Sequence, residues 1–219
     1  MAKHFLRELE KIKKRILSLG AMVEERVYMA IKALETRDAD AADKIITSDH
    51  EIDEMEVEIE EECLKILALY QPVAIDLRFL TAVIKINNDL ERIADEAVNI
   101  ARRVSIIAKR EKPDISFDYS LMAGKAEYML KKSLDAFVNL DIDLALKVCT
   151  LDDEVDEMLR EAYDRIKVAI ADHPDRVGYL INLLLISRHL ERIADHGTNI
   201  AEEVIYLIEG EIVRHENFL

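Results

Sequence analysis

Carboxylates spaced four residues apart are the side chains of this chain best placed to do chemistry. The pairs Asp49/Asp53 and Glu91/Asp95 in the first half recur in the second half as Asp152/Asp156 and Glu191/Asp195. Residues four apart share one face of a helix, so each pair can direct two carboxylates at one point. Oxygen-only clusters suit hard cations, namely Mg²⁺, Mn²⁺, Ca²⁺ or iron in an oxygen-rich site. The spacing therefore predicts metal binding.

The recurrence of these pairs belongs to a duplication of the chain. The hexapeptide L-E-R-I-A-D at positions 90–95 returns letter for letter at 190–195, and the N-I-A at 99–101 returns at 199–201. Upstream of these motifs, the acidic stretch at 49–55 corresponds to a similar stretch at 152–158. The chain therefore consists of two consecutive copies of about one hundred residues. An internal repeat of this kind indicates that the fold is built from two similar units.

The positions of the carboxylates along the chain place them level with one another in each copy. In an antiparallel hairpin that turns near Pro72, residues equally far from the turn lie at the same height, which pairs Asp53 with Glu91 and Asp49 with Asp95. A turn between His173 and Pro174 pairs the second copy in the same way. We therefore predict two metal sites, the first quartet (Asp49, Asp53, Glu91, Asp95) and the second quartet (Asp152, Asp156, Glu191, Asp195).

A solvated acidic face is the alternative interpretation of each quartet. Arg92, Arg102 or Arg103 in the first copy, and Arg192 in the second, would then neutralise part of the charge. Divergence at neighbouring surface positions weighs against this alternative, because Glu56 and Glu60 of the first copy correspond to Leu159 and Tyr163 in the second, whereas the quartet carboxylates are kept.

Asn99 and Asn199 lie four residues after the last carboxylate of each quartet and extend the same helix face. Either metal ligation or a helix-packing hydrogen bond fits them. His50 and His196 point away from their acidic neighbours, and we expect surface or boundary roles for them.

Helices are the elements predicted to hold these carboxylates. Apolar residues recur in steps of three and four along most of the chain, which indicates amphipathic helices. Five Gly and three Pro are too few for a β-rich fold with many turns. We predict an all-α fold of two tandem, pseudo-repeated antiparallel three-helix bundles, with six long helices of roughly thirty residues each. The first bundle would span residues 1–111 and the second 112–219.

The expected breaks between helices coincide with capping and helix-breaking residues. They fall at Asp38 to Asp40, Gln71-Pro72, Lys112-Pro113-Asp114, Asn139 to Asp143 and His173-Pro174-Asp175.

Composition narrows the function classes. The formal net charge of −15, from 45 acidic and 30 basic side chains, would repel a phosphate backbone and argues against nucleic-acid binding. The N-terminal residues lack the apolar core of a secretory signal, and no run is apolar for the length of a membrane span. The two cysteines form no C-x-x-C motif, which suits a reducing compartment. We expect a cytoplasmic protein.

The sequence offers little for catalysis. It contains no Gly-rich phosphate loop, no G-x-S-x-G and no H-E-x-x-H. A ferritin-like di-iron site would require Glu three residues before a His, and none of the six histidines has one. We therefore expect that the protein is not an enzyme.

The motifs resemble those of the PhoU family, the accessory regulators of phosphate uptake. The resemblance rests on Q-P-V-A-I-D-L-R at 71–78, N-D-L-E-R-I-A-D at 88–95, R-H-L-E-R-I-A-D at 188–195 and the two N-I-A tripeptides, and it covers essentially the whole chain. One departure is that the second copy lacks the Asp-Leu-Arg of residues 76–78. The resemblance implies two pseudo-symmetric three-helix bundles whose E(D)-x-x-x-D motifs, here the two quartets, bind iron clusters in some members and Mg²⁺ or Mn²⁺ in others.

The same resemblance implies a regulatory adaptor and not an enzyme. Its partners would be the ATPase subunit of a phosphate ABC transporter and the cytoplasmic sensor region of a histidine kinase, and it would keep the starvation response off when phosphate is plentiful. Exposed apolar positions on long helices make a homodimer plausible, and membrane association would come only through partners. Two other hypotheses are a helical scaffold protein without metal and a metal-dependent phosphohydrolase.

Overall fold

The fold is built from helices joined by short turns. The protein is represented by a computed structural model, which describes residues 2–111 and 119–211. Its helices are α1 (Ala2–Thr36), α2 (Ala39–Thr47), α3 (His50–Tyr70), α4 (Ala74–Ile107), α5 (Tyr119–Asn139), α6 (Ile142–Asp172) and α7 (Val177–Glu209), with a short 3₁₀ helix at Pro174–Arg176. No strand occurs within those two ranges. The all-α prediction is confirmed, and α1, α4, α6 and α7 have 31 to 35 residues each.

The second of the six predicted helices is interrupted, and this is the main departure from the expected pattern. It is divided into α2 and α3 by a turn at Ser48 and Asp49, whereas α6 runs unbroken through the matching region. The buried Arg26 of α1 explains the break, because its Nη2 donates to the carbonyl of Ser48 at 2.9 Å. The amide of Ile52 bonds to the Asp49 carbonyl instead, in a tighter turn.

The other described helix ends agree with the caps and breaks predicted from the sequence. Asp38 accepts a hydrogen bond from the amide of Ala41 at the start of α2, and Asp141 accepts one from Leu144 at the start of α6. Gln71 ends α3 in the left-handed conformation, directly before Pro72. The predicted break at Lys112-Pro113-Asp114 lies outside the described residues, at the point where residues 1–111 would meet 112–219.

Helices α4 and α7 form the centre of the molecule. They are antiparallel, since Lys85 of α4 pairs with Glu203 near the end of α7, whereas Glu96, further along α4, pairs with the earlier His189. Both helices are apolar over a wide arc because each packs on its own copy and on the other copy. The buried side chains form one continuous core across both bundles. The carboxylates are therefore held on a framework that the two copies build together.

Two properties of the described helices bear on the sequence predictions. Within the described ranges, no helix combines the length and hydropathy that crossing a bilayer requires. Cys63 and Cys149 are both free and buried. Burial raises the pKa of each thiol to about 12, so both remain protonated at neutral pH.

Candidate metal sites on the paired helices

The second quartet lies where α6 runs beside α7. Asp152 and Asp156 are on α6, and Glu191 and Asp195 are on α7. Carboxylate oxygens of Asp156, Glu191 and Asp195 all lie within 4.8 Å of one another. An ion that holds its oxygen ligands at about 2.1 Å places opposite ligands about 4.2 Å apart. These three side chains therefore fit around one hard cation after a small adjustment.

The electrostatics of the second quartet also favour a cation. Burial, and then the charges of Asp195 and Asp156, raise the pKa of Asp152 to about 6. Burial, and then the charges of Glu191 and Asp156, raise the pKa of Asp195 to about 6. The pKa of Glu191 is raised by burial and by Asp156, against the opposing charge of Arg188. A bound cation would relieve this repulsion and compete with protons for the same oxygens.

The first quartet does not converge to the same degree: among the described residues, only the second quartet brings three ligand atoms within 4.8 Å of one another. Asp49 lies in the turn before α3, Asp53 lies on α3, and Glu91 and Asp95 lie on α4. Burial, followed by the charges of Asp53 and Asp95, raises the pKa of Asp49. The pKa of Asp95 is raised by burial and by Asp53, and that of Glu91 by burial and by Asp95. The charges of the first quartet are thus near enough to raise the pKa values of Asp49, Glu91 and Asp95, whereas converging ligand atoms occur, among the described residues, in the second quartet alone. Metal binding itself remains a prediction.

A buried arginine distinguishes the first quartet from the second. Arg26 of α1 is 4% exposed, and its Nη1 lies 3.4 Å from Oδ1 of Asp49. The matching position in α5 is Met129, which is fully buried and uncharged. The first quartet thus has a cation of its own, whereas the second has none at this place. Sequence reasoning missed Arg26, although a charged residue at core spacing, between Val23 and Ala30, was a signal that could have revealed it.

The surface arginines considered in the alternative interpretation account for part of the charge. Arg92 Nε lies 3.7 Å from Oε2 of Glu91, and Arg102 lowers the pKa values of Asp49 and Asp95 against the effect of burial. These side chains do not cancel the net upward shifts. The acidic-face alternative is therefore only partly supported.

The flanking asparagines and histidines make protein contacts. Asn99 accepts a hydrogen bond from Arg102 at 2.9 Å, and Asn199 donates to Asp89 across the helix pair at 3.2 Å. His196 also faces α4, with Nδ1 2.8 Å from Oδ1 of Asp89. The expected boundary role of His196 thus corresponds to a contact between the two copies.

A second acid–histidine contact joins the same two helices and was not anticipated. Glu96 of α4 is 6% exposed, lies 2.5 Å from Nδ1 of His189 and accepts from Arg192 at 2.9 Å. Burial opposes ionisation of Glu96, but the hydrogen bond and charge of His189, with Arg192, outweigh it and lower the pKa. A sequence signal existed, because positions 89 and 96 are acids in the first copy and the matching positions 189 and 196 are histidines in the second.

Comparison with a family model recognises both copies. The model described as the PhoU domain matches residues 16–104 and again residues 119–204. Among curated proteins, a "phosphate-specific transport system accessory protein PhoU homolog" of Clostridium acetobutylicum is 37% identical over 212 residues, which is 96% of this chain and 97% of that protein. The protein of the same description from Pseudomonas aeruginosa is 38% identical over 98% of this chain and 89% of its own length.

Solved structures agree with the sequence comparison. The crystal structure of PhoU from Pseudomonas aeruginosa matches with a TM-score of 0.91 at 38% identity, covering 94% of this chain and all of that one. The phosphate transport system regulatory protein PhoU from Streptococcus pneumoniae matches with a TM-score of 0.85 at 31% identity, covering 95% of this chain and 99% of that one.

Proposed function

The chain belongs to the PhoU family, and on that premise we propose that it is a regulatory adaptor of phosphate homeostasis. It links the ATPase subunit of a phosphate ABC transporter to the cytoplasmic sensor region of a phosphate-responsive histidine kinase. When phosphate is plentiful, it keeps the starvation response repressed. It acts in the cytoplasm and reaches the membrane only through these partners.

The observation that carries this proposal is the match of both copies over nearly the whole chain. The PhoU domain accounts for residues 16–104 and 119–204. Relatives that share 37–38% of their residues with this chain are described as phosphate-specific transport system accessory proteins. The long helix faces offer area for two partners, and exposed apolar residues such as Tyr28, Val57 and Val168 support a homodimer.

The metal part of the proposal assigns the eight quartet carboxylates as ligands. Fe, Mn or Mg are the ions that suit an oxygen-only donor set of this charge. When bound, the ion supplies positive charge that lets the carboxylates stay ionised side by side. The second quartet supports the proposal more strongly than the first, because three of its carboxylates already converge and Met129 replaces the competing arginine.

The proposed adaptor has no catalytic role. The quartets supply ligands, but the sequence has no recognisable phosphate-binding loop or nucleophile motif beside them. A phosphohydrolase would turn over generic phosphoesters, and that activity would disappear when quartet residues are changed to amides.

Binding to defined partners tests the adaptor proposal. The transporter ATPase subunit and the kinase cytoplasmic region from the same organism would be purified and titrated against this protein by calorimetry. The proposal predicts saturable binding of both, and derepression of phosphate-starvation genes at high phosphate when the chain is deleted. Absence of binding to both partners, with normal repression in the deletion strain, would contradict it.

Variants with neutral quartets separate the metal-dependent adaptor from the metal-free scaffold. Asp156→Asn with Glu191→Gln removes two charges from the second quartet, and Glu157→Gln with Glu161→Gln removes two from the exposed surface of α6 as a matched control. We expect weaker partner binding only in the first variant. Equal binding by both variants would favour the scaffold.

A further inference from the structure

An exposed apolar surface lies at one end of the molecule, where four segments of the chain meet. The start of α1 packs on the end of α3, with the rings of Phe5 and Tyr70 5.2 Å apart. The start of α4, the junction between α5 and α6 and the end of α7 adjoin the same place. Five large apolar side chains there are each more than half exposed and together form what we call the apolar end: Leu6, Leu69, Val73, Ile75 and Leu140. Grouped exposed apolar residues, unlike scattered single ones, mark interaction sites.

A cavity of about 380 Å³ lies within the apolar end, between Ile75 and Leu140. Its volume falls in the range of about 300–1,000 Å³ that is usual for ligand pockets. Most of its wall is apolar, formed by Leu9, Ile75, Phe79, Phe137, Leu140, Leu207 and Ile208. Such a wall gives no partner to a buried polar group, so the cavity suits a bulky apolar side chain.

The repeat shows that the fold does not require this apolar surface. At the opposite end of the molecule, the alignment of the two copies makes Asp172 the counterpart of Leu69 and Asp175 the counterpart of Ile75. Leu140 corresponds to Arg37, since each follows the first helix of its copy, with a φ of 52° and 54° respectively. Because charged residues are compatible with these positions, the apolar end has a role other than folding.

The start of α1, which borders the apolar end, is basic in an otherwise acidic chain. Residues 3–15 contain six Lys and Arg against two Glu, whereas the whole chain has a net charge of −15. Lys11 and Arg15 form ion pairs with neighbouring glutamates. Lys13 lines the cavity itself. The remaining three basic side chains are a stripe that we call the basic stripe: Lys3, Arg7 and the exposed Lys14.

The geometry of α1 places the basic stripe beside the cavity. At about 100° per residue, its three members fall within about 40° of one another, on the face opposite the buried Ile12 and Ile16. Leu6 and Lys13 lie between that face and Leu9, which lines the cavity. The apolar end is therefore flanked by exposed positive charge along its α1 border.

The carboxylates around the apolar end do not cancel this charge. Glu10 alone interrupts the basic stripe. Three further acids lie at helix N-termini, where the positive end of the helix dipole offsets their charge. They are Asp76 in the first turn of α4, Asp141 at the N-cap of α6 and Asp143 in its first turn.

We propose that the apolar end binds an acidic segment of a partner protein, one bulky apolar side chain of which enters the cavity. Carboxylates next to that side chain pair with the basic stripe, and its apolar neighbours cover Val73 and Ile75. A second copy of this chain docked through the same surface would bring two basic stripes together. An anionic bilayer would repel the net charge of −15.

This inference rests on the proposed adaptor role, because an adaptor must present a surface to its partners, but it does not depend on metal. The cavity is separate from the quartets, since Phe79 lies 12 residues before Glu91 on α4, or about 18 Å.

Two labelled peptides test the charge preference. One contains two Phe-Glu-Glu-Leu repeats flanked by glutamates, and in the other every Glu is replaced by Lys; both are titrated by fluorescence anisotropy. The net charge of −15 by itself favours the lysine peptide, so a preference for the glutamate peptide identifies a local basic surface. We expect the glutamate peptide to bind at least about tenfold more tightly, as about three exposed ion pairs would provide. Equal binding, or tighter binding of the lysine peptide, would overturn the proposal.

Charge variants locate the contact on α1. Lys3→Gln with Arg7→Gln and Lys14→Gln should weaken binding of the glutamate peptide about tenfold. The matched control makes the same charge change at exposed lysines of α2 and α6, namely Lys44, Lys147 and Lys167. Equal weakening in both variants would show a general effect of charge and refute the assignment.

Apolar variants locate the contact at the cavity. Val73→Ser with Ile75→Ser should weaken binding of the same peptide, whereas Val177→Ser with Ile181→Ser, at the exposed start of α7, should not. All four positions are exposed, so the fold should be retained, and circular dichroism checks this. Unchanged binding in the first variant would contradict the proposal.

Vesicles of phosphatidylglycerol and phosphatidylcholine test the membrane alternative. We expect no cosedimentation of the protein with them. Cosedimentation that is lost in Val73→Ser with Ile75→Ser, without a preference for the glutamate peptide, would assign the apolar end to a bilayer and overturn the proposal. Failure of peptide binding would leave the adaptor role intact, because that role is tested with the transporter subunit and the kinase themselves.

Discussion

Replacing Arg26 with methionine should strengthen metal binding at the first quartet. The substitution reproduces the residue found at the equivalent position of the second copy, Met129. Arg26 Nη1 lies 3.4 Å from Oδ1 of Asp49, and a cation on that oxygen would sit about 2.1 Å beyond it. The two positive centres are then about 5 Å apart.

The size of the effect follows from the repulsion between these charges. For a divalent ion, the energy is about 7 kcal/mol at an effective dielectric constant of about 20, and about 1.7 kcal/mol in a fully water-like medium. The lower bound alone corresponds to somewhat more than a tenfold change in affinity. We therefore expect Arg26→Met to tighten binding of Mn²⁺ at least about tenfold.

The assay must report the first quartet alone. Asp156→Asn with Glu191→Gln disables the second quartet, and Mn²⁺ is titrated by calorimetry at pH 7.5 with and without Arg26→Met. Arg92→Met is the matched control, because Arg92 is 60% exposed and 3.7 Å from Glu91, where water screens its charge. Unchanged or weaker Mn²⁺ binding in Arg26→Met, with the fold intact by circular dichroism, would refute the electrostatic reasoning.

Three further predictions concern pH, the contact between the copies, and the thiols. Folding raises the pKa values of Asp152 and Asp195 to about 6. The two carboxyls therefore favour folding at low pH, and this contribution to stability is lost as the pH rises through 6. In EDTA, Asp195→Asn should accordingly raise the melting temperature at pH 7.5 but not at pH 4. A gain of equal size at both pH values would contradict this. Glu96→Ala should lower the melting temperature by several degrees, because His189 and Arg192 lose their buried partner, whereas Glu209→Ala on the surface should have little effect. Cys63 and Cys149 should react with a thiol reagent only after unfolding, as their burial and raised pKa require, and rapid labelling of the native protein would refute this.

The sequence was sufficient for those features that follow from helix periodicity and from the repeat. Asp156 lies near Glu191, because an antiparallel hairpin fixes height by distance from its turn. The caps at Asp38 and Asp141 were readable because their side-chain chemistry acts locally.

Features that depend on packing between helices distant in sequence were not readable. The break at Ser48 arises from a hydrogen bond donated by Arg26, 22 residues earlier on another helix. The contact between Glu96 and His189 depends on which faces of α4 and α7 meet, and periodicity does not select one face of a helix that is apolar over a wide arc.

Elemental analysis of the purified protein tests the central claim most directly. Protein prepared without chelator would be compared with a variant carrying Asp53→Asn, Glu91→Gln, Asp156→Asn and Glu191→Gln. A control variant with Glu54, Glu61, Glu157 and Glu161 changed to Gln has the same charge change on exposed helix surfaces. We expect stoichiometric Fe, Mn or Mg in the unaltered protein and in the control, and its loss from the quartet variant. Absence of metal from the unaltered protein, even after incubation with Mn²⁺ or iron, would contradict the assignment of the quartets as metal sites.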